Sequence, residues 1–325
     1  MKARAYAWRV LAAALVAAGV PAQSSAQSFP SKPVTILIST PPGGGTDLYA
    51  RQMAPIISKS IGQPVVIENR TGAGGIVAQE YLARKTPDGY TYLITSQSQM
   101  VLATGLAQPL PYDTVKDFAP VTMMIKFGYF LVVGKDSTAG SVQDFVAQAK
   151  AAGGKLALGT SQSPGYLVTV ETLKQRLGVD FVLATYKGAS PSIPELMADR
   201  LQALVIDTPS ASPHVRSGAM RALATTVRER LAGFPNVPTF HEAGVSGFES
   251  IGWSGFVTTA GAPREAIERM SAEFGKAMRT EEIMKSFAST AVEGWITTPQ
   301  EMANVIREEL RVLPPVVKKL NITVN

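Results

Sequence analysis

The sequence predicts an α/β fold built as two successive halves with a helical tail. Three observations carry that prediction. A β-branched strand, a glycine-rich loop and an amphipathic helix recur in series along the chain. The 325 residues are 46% hydrophobic and 17% charged, which is enough apolar material for two cores of ordinary size. From Pro263 to Leu320 the pattern is helical, with no strand pattern of its own to pack on.

The chain opens on a targeting pattern. Lys2, Arg4 and Arg9 give a basic start, residues 10–20 are continuously apolar, and Ser24, Ser25 and Ala26 supply the small residues that a signal peptidase reads. The apolar run is shorter than the ~20 residues of a membrane span. Residues 1–26 therefore read as a cleavable signal peptide, and the mature protein as exported to the periplasm. Without them 28 basic residues face 25 acidic ones, so the net charge is +3 in place of +6. That near balance, with no basic cluster, excludes nucleic acid as a partner. The chain has no cysteine, which removes disulfides, thiol nucleophiles and iron–sulfur clusters. An exported fold of this size that needs no staples fits a bacterial periplasm.

In the first half, Val34–Ile38 is a buried strand that stops at Pro41-Pro42-Gly43-Gly44-Gly45-Thr46-Asp47. Tyr49, Met53, Ile56 and Ile57 then share one helical face, with Thr46 or Asp47 placed to cap the helix and Pro55 to bend it. The unit repeats as strand Val65–Ile67, loop Arg70–Gly75, a helix from Ile76 to about Lys85, the turn Pro87-Asp88-Gly89 and strand Tyr90–Ile94. Two such crossovers predict a parallel sheet with helices on its faces.

The second half starts near Phe127 with strand Tyr129–Val133 and a helix opened by Ser141, whose capping partner is Asp144. Strand Leu156–Leu158, loop Gly159–Gly165 and a helix ending near Gly178 follow. Then come strand Phe181–Ala184, loop Tyr186-Lys187-Gly188, a short helix around Leu196 and strand Leu204–Ile206, ending at Asp207. Phe248–Thr258 is apolar and extended, with Trp253 and Phe256 as core aromatics. The tail buries itself most simply by returning to the first half.

The glycine loops are the chemical signal. A strand, a glycine turn and a helix start expose backbone N–H groups at the positive end of a helix dipole, which suits a carboxylate or phosphate. A tight turn alone also calls for glycine. Recurrence at Gly72–Gly75 and at Gly159–Gly165, always after a strand, favours the anion-binding reading. Nucleotide motifs fail: Val77 stands where a dinucleotide fingerprint ends in glycine, and Leu156 follows Gly153-Gly154-Lys155 where a P-loop needs a hydroxyl. Gly252-Trp253-Ser254-Gly255 is followed by Phe256 where a nucleophile elbow ends in glycine. His241-Glu242 lacks the second histidine of a zinc-protease helix, so His214 and His241 read as structural. Asp207 is open to three roles: a general base, a ligand-facing acceptor or a helix cap.

The ordered series Phe29–Val34, Pro41–Asp47, Glu68–Gly75, Pro87–Thr91, Leu110–Asp113, Lys116–Val121, Tyr186–Gly188, Arg221–Ala224 and Val237–Thr239 with Glu242–Gly244 resembles the Bug family. These are the periplasmic solute receptors of tripartite tricarboxylate transporters. The resemblance runs from about Ser28 to the final helices. It implies an α/β two-domain periplasmic binding protein, a Venus flytrap with two extended hinge strands. Domain 1 is then 27–125 plus 252–325 and domain 2 is 126–251, with hinges near Ile125–Gly128 and Ile251–Gly255.

The resemblance further implies that Gly43, Gly44, Gly45, Thr46 and Asp47 hold a ligand carboxylate. Thr160, Ser161, Gln162 and Ser163 are the opposing clamp, and Asp207 is a polar contact or water anchor. Ser96, Gln97, Tyr186 and Lys187 are further contacts. The chain departs from the family pattern where Pro164 removes a backbone donor, where Val168 replaces a common histidine, and where Ser98, Gln99 and Ala103 replace Gly, Thr and Asn. Gln97, Gln99 and Gln162 are candidates to read a polar or aromatic distal group. The reading is a monomeric receptor for a small mono- or dicarboxylate, aromatic acids included, that hands it to transporter membrane subunits. It uses no metal, no cofactor and no catalysis. The alternatives are a secreted α/β hydrolase or lyase working through Asp207 and Lys187, and a sensor whose closed form is read by a signalling partner.

Overall fold

The computed structural model describes residues 29–323, and the signal peptide expected at 1–26 lies outside them. The first sheet is built from β1 (Val34–Ile38), β2 (Val65–Asn69) and β3 (Thr91–Ser96). β1 lies in the middle, parallel to both others. The helix after β1, α1 (Gly45–Ile61), runs unbroken through Pro55, and α2 (Ile76–Ala83) follows β2. A short helix, α3 (Gln97–Met100), leads directly out of β3.

β4 (Phe118–Gly134) is 17 residues long and belongs to both sheets. Its first part pairs antiparallel with β9 (Ile251–Thr259), from Phe118 opposite Thr259 to Gly128 opposite Ile251. β9 also pairs with β3, which completes the first sheet. From Tyr129 onward β4 pairs instead with β7 (Ala203–Asp207), and from Phe130 with β8 (Met220–Thr225). The second sheet continues outward through β5 (Ala157–Ser161) to β6 (Val182–Tyr186), each parallel to its neighbour. Its helices are α4 (Val142–Ala151), α5 (Pro164–Leu177), α6 (Ile193–Met197) and α7 (Thr208–Arg216). The chain thus passes from one sheet to the other twice, at Gly128–Tyr129 and at Ser250–Ile251.

The tail supplies α8 (Arg264–Met278), α9 (Glu281–Ser289), a two-residue strand β10 (Glu293–Gly294) on β4, α10 (Pro299–Val312) and α11 (Pro314–Lys319). Strand alternation decides where each helix goes. Ile36, Ile38, Tyr92 and Ile94 face α1, α8 and α9, and share a core with Met270, Phe274 and Phe287. Leu37 and Leu93 face the other way and share a core with Ala78, Trp253, Met302 and Ile306. Phe274 stacks on Phe256 of β9 with ring centroids 3.9 Å apart and meets Tyr92 edge-on. The tail therefore completes both faces of the first sheet.

Several local expectations change. α1 has Gly44 at its cap position and no side-chain cap; Thr46 Oγ1 pairs with Thr40 Oγ1 at 2.9 Å instead. Asp47, the third residue of α1, reaches back and accepts the Gly43 amide at 3.0 Å. At α4 the Ser141 hydroxyl accepts the Asp144 amide as expected, but the Asp144 carboxylate takes the amide of Gly140 and not that of Ser141. His241 is exposed and His214 half-buried. Among the described residues no helix is long and apolar enough to cross a membrane.

Candidate functional site

The C-terminal ends of β1, β3, β5 and β7 face each other across a cleft between the two sheets, where open α/β structures place ligands. The cleft is narrow, with about 80 Å³ open to the centres of water-sized molecules. On the first-sheet side it is lined by Ser39, Thr40, Pro41 and the start of α1. Because Gly44 offers no capping side chain, the amides of Gly45 and Thr46 have no hydrogen-bond partner among the described residues. The Thr40 and Thr46 hydroxyls flank them. Two N–H groups, two hydroxyls and the positive end of a 17-residue helix make a neutral cradle for an anion.

Gly43 and Asp47 stand behind this cradle and line the adjoining opening, which shares Gly44, Gly45, Ser190 and Ser210 with the cleft. The Asp47 carboxylate is buried and accepts bonds from the Gly43 amide, Arg51 Nε at 3.0 Å and Asn69 Nδ2 at 2.9 Å. Burial pushes its pKa up, but the Arg51, Gly43 and Asn69 hydrogen bonds outweigh burial and hold it below the usual carboxylate value. Asp47 fixes the shape of the glycine loop and leaves the anion-binding face uncharged.

At the end of β3, Ser96 lines the cleft and donates to Gln99 Oε1 at 2.7 Å. Gln99 Nε2 donates in turn to Ser39 Oγ and to the Gly74 carbonyl, at 3.0 and 3.3 Å. Gln97 points the other way and donates to Glu309 Oε1 of α10 at 3.0 Å. Glu309 also accepts from Trp253 Nε1 at 2.8 Å, and burial raises its pKa. The structure thus makes Gln97 a tie between α3 and the tail, not a cleft residue.

On the second-sheet side the cleft is lined by Ser161, Ser163, Tyr166, Lys187, Ser190, Asp207 and Ser210. Thr160 is one residue before the strand end, so alternation turns it into the sheet, where its hydroxyl donates to the Val205 carbonyl at 2.9 Å. Gln162 and Tyr186 are bound to each other through the Gln162 amide and the Tyr186 carbonyl at 2.8 Å, and neither lines the cleft. Lys187 lines it but is exposed. Asp207 caps α7: Oδ1 accepts the Ser210 amide at 2.8 Å, and Oδ2 accepts the Tyr166 hydroxyl at 2.5 Å. Burial raises the Asp207 pKa against these bonds, and burial together with the Asp207 charge pushes the Tyr166 hydroxyl well up.

Of the residues expected from sequence, Gly44, Gly45, Thr46, Ser96, Ser161, Ser163, Lys187 and Asp207 meet in the cleft. Gly43, Asp47, Gln97, Thr160, Gln162 and Tyr186 do not. Tyr166, Ser190, Ser210 and Thr40 were not anticipated. Thr40 directly precedes the Pro-Pro-Gly run, and Ser210 sits three residues after Asp207 in a capping relation, so each had a local signal. Tyr166 had none.

The two walls touch. A methyl group on Gly45 would lie 2.4 Å from Pro209 Cβ, and one on Gly188 would lie 2.6 Å from Pro41 Cδ. The Gly165 amide donates across the cleft to Ser98 Oγ at 3.0 Å. Among the described residues no cluster of His, Cys, Asp and Glu could hold a metal ion.

Residues 49–322 match the family model described as the tripartite tricarboxylate transporter family receptor. Protein BugT of Bordetella pertussis is 31% identical over 300 residues, covering 91% of this chain and 92% of that one. A Rhodopseudomonas palustris protein solved with adipate is 27% identical with a TM-score of 0.86, covering 91% of this chain and 99% of its own. MatC from the same species, solved with bound malate, is 25% identical with a TM-score of 0.83, covering 89% and 100%.

Proposed function

The chain belongs to the tripartite tricarboxylate transporter receptor family, whose members are periplasmic solute-binding proteins and not enzymes, and from that premise we propose that it captures a small organic carboxylate. It then presents the closed complex to the membrane subunits of a tripartite transporter. The observation that carries this reading is the uncapped start of α1, with the Gly45 and Thr46 amides free beside the Thr40 and Thr46 hydroxyls in the cleft. Such a cradle holds an anion without a salt bridge, so the ligand can leave again when the cleft opens. The adipate and malate found in two structural neighbours are of the same chemical class.

In this reading the two lobes are residues 27–125 with 252–325, and residues 126–251. The two crossings between the sheets, in β4 and ahead of β9, act as hinges. Domain closure buries the ligand, and no chemistry is done on it. Residues 1–26 direct export and are removed, and the receptor works as a monomer. Lys187 and Asp207, the pair considered for catalysis, serve as mouth charge and cleft acceptor.

A thermal-shift screen of the exported protein against mono-, di- and tricarboxylates, amino acids and aromatic acids tests the proposal. A ligand at ~100 times its Kd adds roughly 2.7 kcal/mol of stability, and the recovered ligand is chemically unchanged. A screen in which no carboxylate raises the Tm, or in which the ligand is converted, overturns it.

A further inference from the structure

Resting on the reading that the α1 cradle holds a carboxylate, we infer that the ligand carries only that one carboxylate, with a hydrogen-bond donor such as a hydroxyl or ammonium group beside it, and that Ser98 and Asp207 impose this choice. A second carboxylate would need donors on the far wall, where β5 leads into α5. The backbone donors there are spent. The Gln162 amide is bonded to the Tyr186 carbonyl at 2.8 Å and the Ser163 amide to Ser161 Oγ at 3.2 Å. Pro164 has no N–H. The Gly165 amide goes to Ser98 Oγ at 3.0 Å, and the Tyr166 amide to the Ser163 carbonyl at 3.0 Å.

The space is taken as well. A methyl-sized group on Gly165 would meet Ser98 Oγ at 2.4 Å and the Tyr129 hydroxyl at 3.1 Å. Ser98 comes from the opposite lobe, so in the closed form its hydroxyl occupies the position at the α5 start that a ligand anion would otherwise fill.

Asp207 completes the selection. Its carboxylate is buried and, among the described residues, forms no ion pair with Lys, Arg or His. Oδ1 lies 3.6 Å from the position of a methyl group on Gly45, which puts it against the cradle. A ligand carboxylate seated on the Gly45 and Thr46 amides has a second negative group for a neighbour in a desolvated site. A donor on the ligand relieves that contact, because ionised Asp207 still has accepting lone pairs after bonding Tyr166 and Ser210. An additional ligand carboxylate worsens it. Lys187 is the one cation among the described lining residues, and its exposure at the mouth leaves it solvated.

Isothermal titration calorimetry with matched trios separates the possibilities: butyrate, 2-hydroxybutyrate and succinate; hexanoate, 2-hydroxyhexanoate and adipate; phenylacetate, mandelate and (4-carboxyphenyl)acetate. In at least one trio the hydroxy acid should bind tenfold or more tighter than the plain monocarboxylate, and the dicarboxylate tenfold or more weaker. Ser98→Gly should restore the dicarboxylate tenfold or more without weakening the monocarboxylate. Ser98→Ala, which removes the hydroxyl and keeps the Cβ, should move it in the same direction. Asp207→Asn should reduce the preference for the hydroxy acid to less than threefold. A dicarboxylate that binds wild-type protein as tightly as its hydroxy partner, or ratios unmoved by both Ser98 variants, overturns the inference while leaving carboxylate capture intact. If no trio member binds and no acid in the thermal-shift screen raises the Tm, carboxylate capture itself fails.

Discussion

Gly45 and Pro209 meet across the cleft with no room for a methyl group between them: a Cβ on Gly45 would sit 2.4 Å from Pro209 Cβ. Gly45 is the first residue of α1 and Pro209 lies in the first turn of α7, so the contact joins two helix starts that follow strands of the two different sheets. Neither partner can yield cheaply, since one is backbone and the other a ring.

Gly45→Ala is therefore expected to hold the lobes apart while each folds normally. Ligand affinity should fall tenfold or more, and small-angle scattering with ligand present should show a larger radius of gyration than wild type. Unchanged affinity would mean that closure does not bring these two helix starts together.

Gly44→Val tests the cradle from its other end. Gly44 has φ −74°, which any residue adopts, and a Cβ there would make only ordinary contacts, 3.4 Å from the Pro41 carbonyl and from Thr40 Oγ1. The added branches would project toward Ser190 and fill the cleft. Ligand-free stability should stay within about 1 kcal/mol of wild type, and the ligand-induced thermal shift should vanish. A retained shift would place the carboxylate elsewhere.

Asp47 gives a prediction with a sign in pH. Its folded pKa lies below the ordinary carboxylate value, so it contributes stability that is fully present above that value and is lost as the pH falls through the lower, folded one. Asp47→Ala should cost about 1.5–3 kcal/mol at pH 7, the range for hydrogen bonds to a charged group. The cost should shrink below about pH 4. Urea unfolding of both proteins at pH 7 and pH 3 measures it, and an equal difference at the two pH values refutes the assignment.

Phe274→Ala should destabilise the protein by about 3–5 kcal/mol, as large aromatic deletions in cores do. Phe274 is fully buried between Phe256 and Tyr92 although it belongs to the tail. A cost below 1 kcal/mol in chemical denaturation would mean that the tail is not part of the first core.

What the sequence made legible was local. The strand, glycine loop and helix units and the run Pro41–Asp47 each occupy a few consecutive residues, and their chemistry can be read from spacing; the uncapped start of α1 could not, because Thr46 and Asp47 both offered a cap by position. The errors came from direction. Thr160 and Gln97 are each one residue away from a residue that lines the cleft, Ser161 and Ser96 or Ser98; strand alternation turns Thr160 into the sheet, and helix rotation turns Gln97 toward α10. Asp47 was read as a contact because it sits in the motif, whereas its side chain folds back to brace that motif. Tyr166 and Ser98 were illegible for another reason. Their partners, Asp207 and Gly165, are 41 and 67 residues distant, and only the packed halves bring them together.

The two crossings between the sheets lie side by side, because Gly128 and Ile251 are partners on one rung of the β4–β9 ladder. The whole excursion from 129 to 250 thus departs and returns at a single doorway in a host that is otherwise contiguous in space. Topologically it is a guest held by both ends. New chain termini opened inside the guest, in an exposed turn such as Gly153-Gly154, would leave every strand of the host uncut. The same doorway ties the guest to the host through two antiparallel leads that meet on one rung, so in the proposed closure the guest turns about one line and has little freedom to slide.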